Sequence, residues 1–158
     1  MQHILMVLAV VGIVAADQFT KYLTVANIGL YQQVPAIPGL FHLTYVRNTG
    51  AAFSALEGMQ WLFALIFLAF TAAMIWEFSK KRMPFTTSER WMIAAIYAGG
   101  LGNMIDRLRL GYVVDMIETQ FMEFPVFNVA DCFITCGCIA LFVSLGLFNK
   151  EFWKEEKK

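Results

Sequence analysis

The sequence predicts a mainly α-helical membrane protein: a four-transmembrane-helix bundle with a small extramembrane β-sheet (a cradle) and a short interfacial helix on the outer side. Three observations predict it. Hydrophobic residues make up 59% of the 158 and charged residues 15%, where soluble domains run near ~45–50% and ~25%. A soluble chain of this length has nowhere to bury so much apolar surface. The apolar residues gather in four blocks, 4–16, 61–76, 91–105 and 132–148. The segments between the first and second blocks and between the third and fourth are rich in β-branched and aromatic residues, as strands are. Without internal repeats, low-complexity stretches or a second domain, 1–158 reads as one domain.

Each block falls short of the ~20 residues that cross a bilayer. Semi-polar flanks extend them to spans of about 3–23, 58–78, 90–109 and 129–149. The first block, whose apolar core is followed by Val14-Ala15-Ala16, has the look of a signal peptide, but no Lys or Arg precedes it, so it reads as a span. Lys80, Lys81, Arg82 and Arg90 lie between spans two and three, and Lys150, Lys154, Lys157 and Lys158 lie in the tail. The positive-inside rule therefore assigns both termini and that middle loop to the cytoplasm. Segments of about 26–57 and 110–127 then face outward. Within them 40–47 (LFHLTYVR) and 112–117 (YVVDMI) read as strands, with turns at Pro35, Pro38 and Gly39. Asn48-Thr49-Gly50 breaks the strand before 51–56, the interfacial-helix candidate, whose Phe53 and Leu56 suit the outer interface.

Charge excludes some classes. Twelve cations balance twelve anions, unlike the basic stripe of a nucleic-acid binder. Cys132, Cys136 and Cys138 sit in one apolar run and point to helix packing rather than to a disulfide or a metal.

Carboxylates inside spans are expensive and mark function. Asp17 falls late in span one, Asp106 late in span three, Asp131 at the start of span four, and Asp115 on the outer strand, so all four converge near the outer surface. No comparable residue is expected in the cytoplasmic halves, where Glu77 has Lys80 and Lys81 in reach. Asp17 and Lys21 are i,i+4; Asn103, Asp106 and Arg107 form one stripe; Asn128 and Asp131 are i,i+3. Each stripe also suits a buried network that only fixes helix packing. Asp17 with Lys21, and Asp106 with Arg107, are expected to be ionised pairs. Asp115 and Asp131 have no cation within four positions. Two such carboxyls brought together share a proton, giving one general acid and one general base. Spacing does not show that they meet; it makes them the best pair.

Other chemistries fit less well. Only His3 and His42 exist, so a zinc peptidase lacks ligands. His42 on the outer strand is a lone histidine, and Ser54 has only Lys21 as a nearby base. A small transporter also places carboxylates in spans, though near the midplane. An assembly subunit explains the spans but not two uncompensated aspartates.

Five stretches carry a resemblance: Asp17-Gln-Phe-Thr-Lys21, Asn48-Thr-Gly-Ala-Ala-Phe53, Gly99-Gly-Leu-Gly-Asn103-Met-Ile-Asp106-Arg107, Val113-Val-Asp115-Met-Ile117 and Phe127-Asn128-Val-Ala-Asp131. In that order they resemble the five motifs of the lipoprotein signal peptidase (signal peptidase II) family, with Met116 where Phe is commoner. The resemblance implies an aspartic endopeptidase of the bacterial inner membrane. Its substrates would be diacylglyceryl prolipoproteins, cut just before the lipidated lipobox cysteine. It implies Asp115 and Asp131 as the catalytic dyad. It also implies Asp17, Lys21, Asn48, Gly50, Asn103, Asp106, Arg107 and Asn128 as residues that order the site or contact substrate. The expected partners are those prolipoproteins and membrane lipid, the enzyme being monomeric, with no metal, no cofactor and no nucleic acid.

Overall fold

The computed structural model describes residues 1–50, 58–80 and 83–154. Four long helices carry the chain: α1 (Gln2–Asn27), α2 (Gln60–Lys80), α3 (Thr87–Leu110) and α4 (Val129–Val143). Between them lie three strands, β1 (Gln33–Ile37) and β2 (Phe41–Asn48) after α1, and β3 (Val113–Thr119) after α3. A π-helical turn (Ser144–Phe148) and a 3-10 turn (Lys150–Trp153) follow α4. The interfacial helix expected at 51–56 lies outside the described residues.

Among the described residues three helices are long and apolar enough to cross a membrane: α1, α2, and α4 taken with its π turn. α3 does not meet that description, because its polar stripe lowers its hydropathy. Its position explains how it tolerates the stripe. α3 packs against α1, α2 and α4, turning Glu89, Asn103 and Asp106 inward beside Ala94, Ala98, Gly99 and Gly102. Large apolar side chains such as Val11, Leu65, Leu68 and Phe142 point outward from the other helices. The bundle is apolar outside and polar along its axis, the inverse of a soluble bundle.

The helix ends follow local chemistry. Thr86 and Glu89 form a reciprocal capping box at the start of α3, and Gly111 ends it with φ +79°, a conformation that glycine adopts without strain. Asn128 and Asp131 form a second box opening α4. Two glycines set the helix spacing. A Cβ on Gly99 would run into the Ala130 carbonyl oxygen, and one on Gly102 would lie 2.5 Å from Asp17 Oδ2.

The sheet is antiparallel in the order β1-β2-β3, one strand more than the two expected. Pro35 was expected to mark a turn, yet it lies within β1. β1 is an edge strand, where a proline's missing N–H breaks no ladder. The β2–β3 register shifts by one residue between Leu43 (opposite Ile117) and Val46 (opposite Asp115). That bulge decides which side of the sheet Asn48 takes. A one-residue shift moves side chains to the other face, and here it sets Asn48 on the face that carries Asp115. Beneath the sheet Tyr45, Val114 and Met116 pack with Ile28, Tyr112 and Ile117.

Candidate active site

Where the sheet meets the bundle, the ten predicted site residues come together. Lys21 is the hub. Reaching from α1, it is 3% exposed and spends its three protons on Asp17 Oδ2 (2.9 Å), Asp106 Oδ2 (3.0 Å) and Asn103 Oδ1 (2.8 Å). Asp17 Oδ1 accepts from the Ala130 backbone N–H, and Asp106 Oδ2 accepts from that of Val114. One ion cluster therefore ties α1 and α3 to α4 and β3. Burying charge this deeply is tolerated only when every partner is present.

Asp106 was expected to pair with Arg107, and it pairs with Lys21 instead. Adjacent helical residues point about 100° apart, so Arg107 faces away from its neighbour. Its guanidinium lies 4.3 Å from the Phe63 ring centroid and donates to the carbonyls of Gly50 (2.9 Å) and Asn103 (3.3 Å). Arg107 Nε is buried without a hydrogen-bond partner among the described residues. Gly50 is thus held through its carbonyl, while its N–H donates to Asn48 Oδ1.

Asp115 and Asp131 meet through Asn128. The Asn128 side-chain amide donates to Asp115 Oδ1 at 2.6 Å, and its backbone N–H donates to Asp131 Oδ2 at 3.1 Å. Asn48 Nδ2 donates to Asp115 Oδ2 (2.9 Å), and Asn103 Nδ2 donates to Asp131 Oδ1 (2.7 Å). No cation lies within ion-pair distance of either carboxyl among the described residues. Burial pushes the Asp115 carboxyl up to about 7, and the nearby Asp131 charge adds to that effect; amide donation from Asn48 and Asn128 works against it. Such a group exchanges its proton near neutral pH, as acid–base chemistry requires.

Both carboxyls line a cavity of about 1530 Å³. Its polar end holds Asn48, Asn103 and Arg107; its apolar wall holds Phe63, Phe67, Phe70, Met104 and Ile134. Cys132 and Cys136 line it too, whereas His42 does not, being set opposite Pro35 and Glu118 within the sheet. Among the described residues no group of His, Cys, Asp and Glu is placed to hold a metal.

The sequence reasoning missed several polar residues. Gln18 Nε2 donates to Asp106 Oδ1 (2.9 Å) and to the Gly102 carbonyl (3.1 Å); its only signal was an amide inside a span beside Asp17. At the bundle's far end Glu77 pairs with Arg90 at 3.0 Å rather than with Lys80, while Lys81 lies outside the described residues. Glu89 is fully buried there, so the expectation of no comparable residue at that end fails. Thr86, three positions before Glu89, was the available signal.

The profile of a family described as Signal peptidase (SPase) II matches residues 9–147. A lipoprotein signal peptidase from Streptococcus thermophilus is 38% identical over 99% of this chain and 97% of its own length. One from Streptococcus agalactiae is 42% identical over 99% and 96%. Among solved structures, a bacterial membrane enzyme determined by the in meso method superposes with a TM-score of 0.84 at 32% identity, over 97% of this chain and 93% of that one. A second bacterial membrane enzyme gives 0.81 at 34% identity, over 91% and 93%.

Proposed function

The chain belongs to the signal peptidase II family, and from that premise we propose that it removes the signal peptide from prolipoproteins as an aspartic endopeptidase. Its substrates carry diacylglycerol on the lipobox cysteine, and the cut falls immediately before that cysteine. The observation that carries this reading is Asn128 donating to both Asp115 and Asp131, without a cation on either and with both open to one cavity.

The chemistry follows from that pair. Asp131, in the first turn of α4, where amide N–H groups favour a carboxylate, takes a proton from the attacking water. Asp115 holds the shared proton, its carboxyl being pushed up to about 7, and gives it to the scissile carbonyl oxygen as the water oxygen bonds to carbon. When the tetrahedral diol collapses, the C–N bond breaks, the proton taken by Asp131 passes to the cysteine nitrogen, and one diol hydroxyl returns its proton to Asp115 as the carboxyl forms, which restores the singly protonated dyad. The signal peptide leaves with a new carboxyl terminus and the lipoprotein with a new amine. A second protonation of the dyad removes the base, and full ionisation removes the acid.

A signal peptide entering as a helix offers no free carbonyl to attack, so it unwinds beside the sheet. Asn48, Asn103 and Arg107 hold the polar backbone, and the apolar wall from Phe63 to Phe70 receives the lipid-facing part. Each buried CH₂ of an acyl chain is worth ~0.8 kcal/mol, enough to separate lipidated from unlipidated precursors. We take all four helices as spans, α3 being shielded by its neighbours. The termini are cytoplasmic, the site lies near the outer face of the inner membrane, and the enzyme is a monomer. Purified protein in detergent, given a diacylglyceryl prolipoprotein and its unlipidated form, should shorten only the first by a signal-peptide length. Cleavage of neither, or of both alike, overturns the reading.

A further inference from the structure

Three asparagine amides donate to the dyad, and an amide serves it only if its NH₂ end faces the carboxyl. Each has its carbonyl held by a donor that decides the matter. The Gly50 N–H holds Asn48 Oδ1 at 2.9 Å, and the Asp131 N–H holds Asn128 Oδ1 at 2.9 Å. Both are neutral backbone groups, fixed by the turn and the helix cap. Asn103 differs, because its Oδ1 is held by an ammonium, Lys21 Nζ at 2.8 Å, with Asn128 Nδ2 at 3.1 Å beside it.

An ammonium has three donors and no acceptor, so the Asn103 atom facing it must be oxygen. That leaves Nδ2 for Asp131 Oδ1, at 2.7 Å. Lys21 itself has no proton left for a substrate, all three being taken by Asp17, Asp106 and Asn103. Besides the direct effect of its charge, its path to a dyad carboxyl through side-chain hydrogen bonds runs through Asn103.

Resting on the dyad reading above, we propose that Lys21 is a positioning residue for Asp131: it fixes the Asn103 amide so that an N–H, never a carbonyl, meets the carboxyl that takes the proton from water. Without that hold the neutral Asn128 Nδ2, at 3.1 Å, is the one donor left on Asn103 Oδ1, and an amide that turns over sets its carbonyl against Asp131 and favours the protonated carboxyl, which is no base. The charges facing this cluster are Asp17 from α1, Asp106 and Arg107 from α3, Asp115 from β3 and Asp131 from α4. Lys21 and Arg107 are the two cations among them, and only Lys21 bonds to an amide side chain that reaches the dyad.

A kinetic cycle tests this on the full chain in detergent, using a fluorogenic diacylglyceryl prolipoprotein peptide. The variants are Lys21→Met, Asn103→Ala and the two combined. Lys21→Met should lower kcat by about tenfold or more with KM little changed, and in the Asn103→Ala background it should lower kcat less than about twofold, because the two act through one contact. The acid limb of the kcat–pH profile should move up by roughly one unit, the ammonium that favours ionised carboxyls having gone. Where Lys21→Met alone melts too low to assay, Asp17→Asn/Lys21→Met/Asp106→Asn removes the whole ion cluster, leaves no carboxylate without its cation, and enters the same cycle in its place.

Equal fold-losses in both backgrounds, with an unmoved acid limb, would overturn the proposal and leave Lys21 as a folding element. A wild-type protein that fails to cut the peptide would instead overturn the dyad reading, so the two failures are distinguishable.

Discussion

The two ends of the bundle both bury carboxylates, and they treat them in opposite ways. At the far end Glu89 is saturated: it accepts from the Thr86 N–H at 2.7 Å, Ser144 Oγ at 2.8 Å and Asn149 Nδ2 at 2.7 Å. Glu77 beside it has Arg90 as a full counter-ion and also accepts the Met83 N–H. At the sheet end Asp17 and Asp106 share Lys21, and the two aspartates that line the cavity, Asp115 and Asp131, bond only to side-chain amides and backbone N–H. Carboxylates whose acceptor sites are taken and that lie away from that cavity fix a fold and have nothing left to give, although Arg90 Nη1 beside them has no hydrogen-bond partner among the described residues. A network short of positive charge and open to a cavity keeps a proton in play. Burial alone therefore separates nothing; compensation and access do.

The sharpest way to break that contrast is to neutralise the open pair. Asp115→Asn and Asp131→Asn keep the shape and remove proton transfer, so each should lower cleavage by on the order of 10³-fold or more, while stability falls only by about 1.5–3 kcal/mol, the cost of one N–H donor left facing the new NH₂. The double variant should be little worse than either single one, since members of one catalytic unit lose activity non-additively. Quenched-flow or gel assays on a lipidated precursor, with a melt in detergent alongside, decide it. Either single variant with near-normal turnover would take that residue out of the dyad.

Titration sharpens the contrast further. The folded-state Asp115 carboxyl stands at about 7, against about 4 in an unfolded chain. Its contribution to stability is therefore complete below about pH 4 and is lost as the pH rises through about 7. Cleavage should follow the same proton, holding to about pH 7 and then falling roughly tenfold per unit as the general acid empties. Melts at pH 5 and pH 8 should differ less in Asp115→Asn than in wild type. An equal difference in both proteins would assign the titration elsewhere.

Much of this contrast was legible in the sequence, and its gaps have physical causes. The carboxylates converge because spans of known length have ends at known depth, and Asp115 and Asp131 stood out by what their neighbours lack. The pairing of Asp106 was misread because closeness along a helix is not closeness in space: Arg107 turns toward Gly50, and Lys21 arrives from another helix. The bulge that brings Asn48 to the face of Asp115 leaves no mark in 44–45 that distinguishes it from ordinary strand. β1 was hidden because Pro35 reads as a breaker unless the strand is known to be an edge. Glu89 was announced by Thr86, but its remaining partners, Ser144 and Asn149, lie some 55 and 60 residues away.

Packing supplies a smaller effect that probes the same end. A Cβ at position 102 would lie 2.5 Å from Asp17 Oδ2 and 3.1 Å from its Cγ. Asp17 has little room to retreat, because its other oxygen holds the Ala130 N–H at 3.0 Å. Gly102→Ala should lower stability by about 1–3 kcal/mol, the usual range for overpacking. It should lower kcat as well, since the shift passes through Lys21 to Asn103. A melt and a kcat both at wild-type level would mean that the ion cluster is loose.

The mildest change is the one that most directly opposes the two ends. Glu89→Gln keeps size and removes the charge, but it also sets an NH₂ where one carboxylate oxygen accepted. Oε2 accepts from Thr86 and Asn149 and Oε1 from Ser144, so either amide orientation leaves at least one donor facing a donor. The Ser144 hydroxyl adapts by turning its own proton away, because a hydroxyl also accepts. The loss is then near that of one buried hydrogen bond to a charged group, about 1.5–3 kcal/mol. It falls on the contact between the start of α3 and the π turn, a full α3 length of 24 residues from the sheet end. At a temperature where both proteins stay folded, kcat per folded molecule should match wild type and the pH profile should be unmoved. A Glu89→Gln protein that melts normally but cuts slowly would make the far end part of the catalytic machinery and dissolve the contrast between a closed network and an open one.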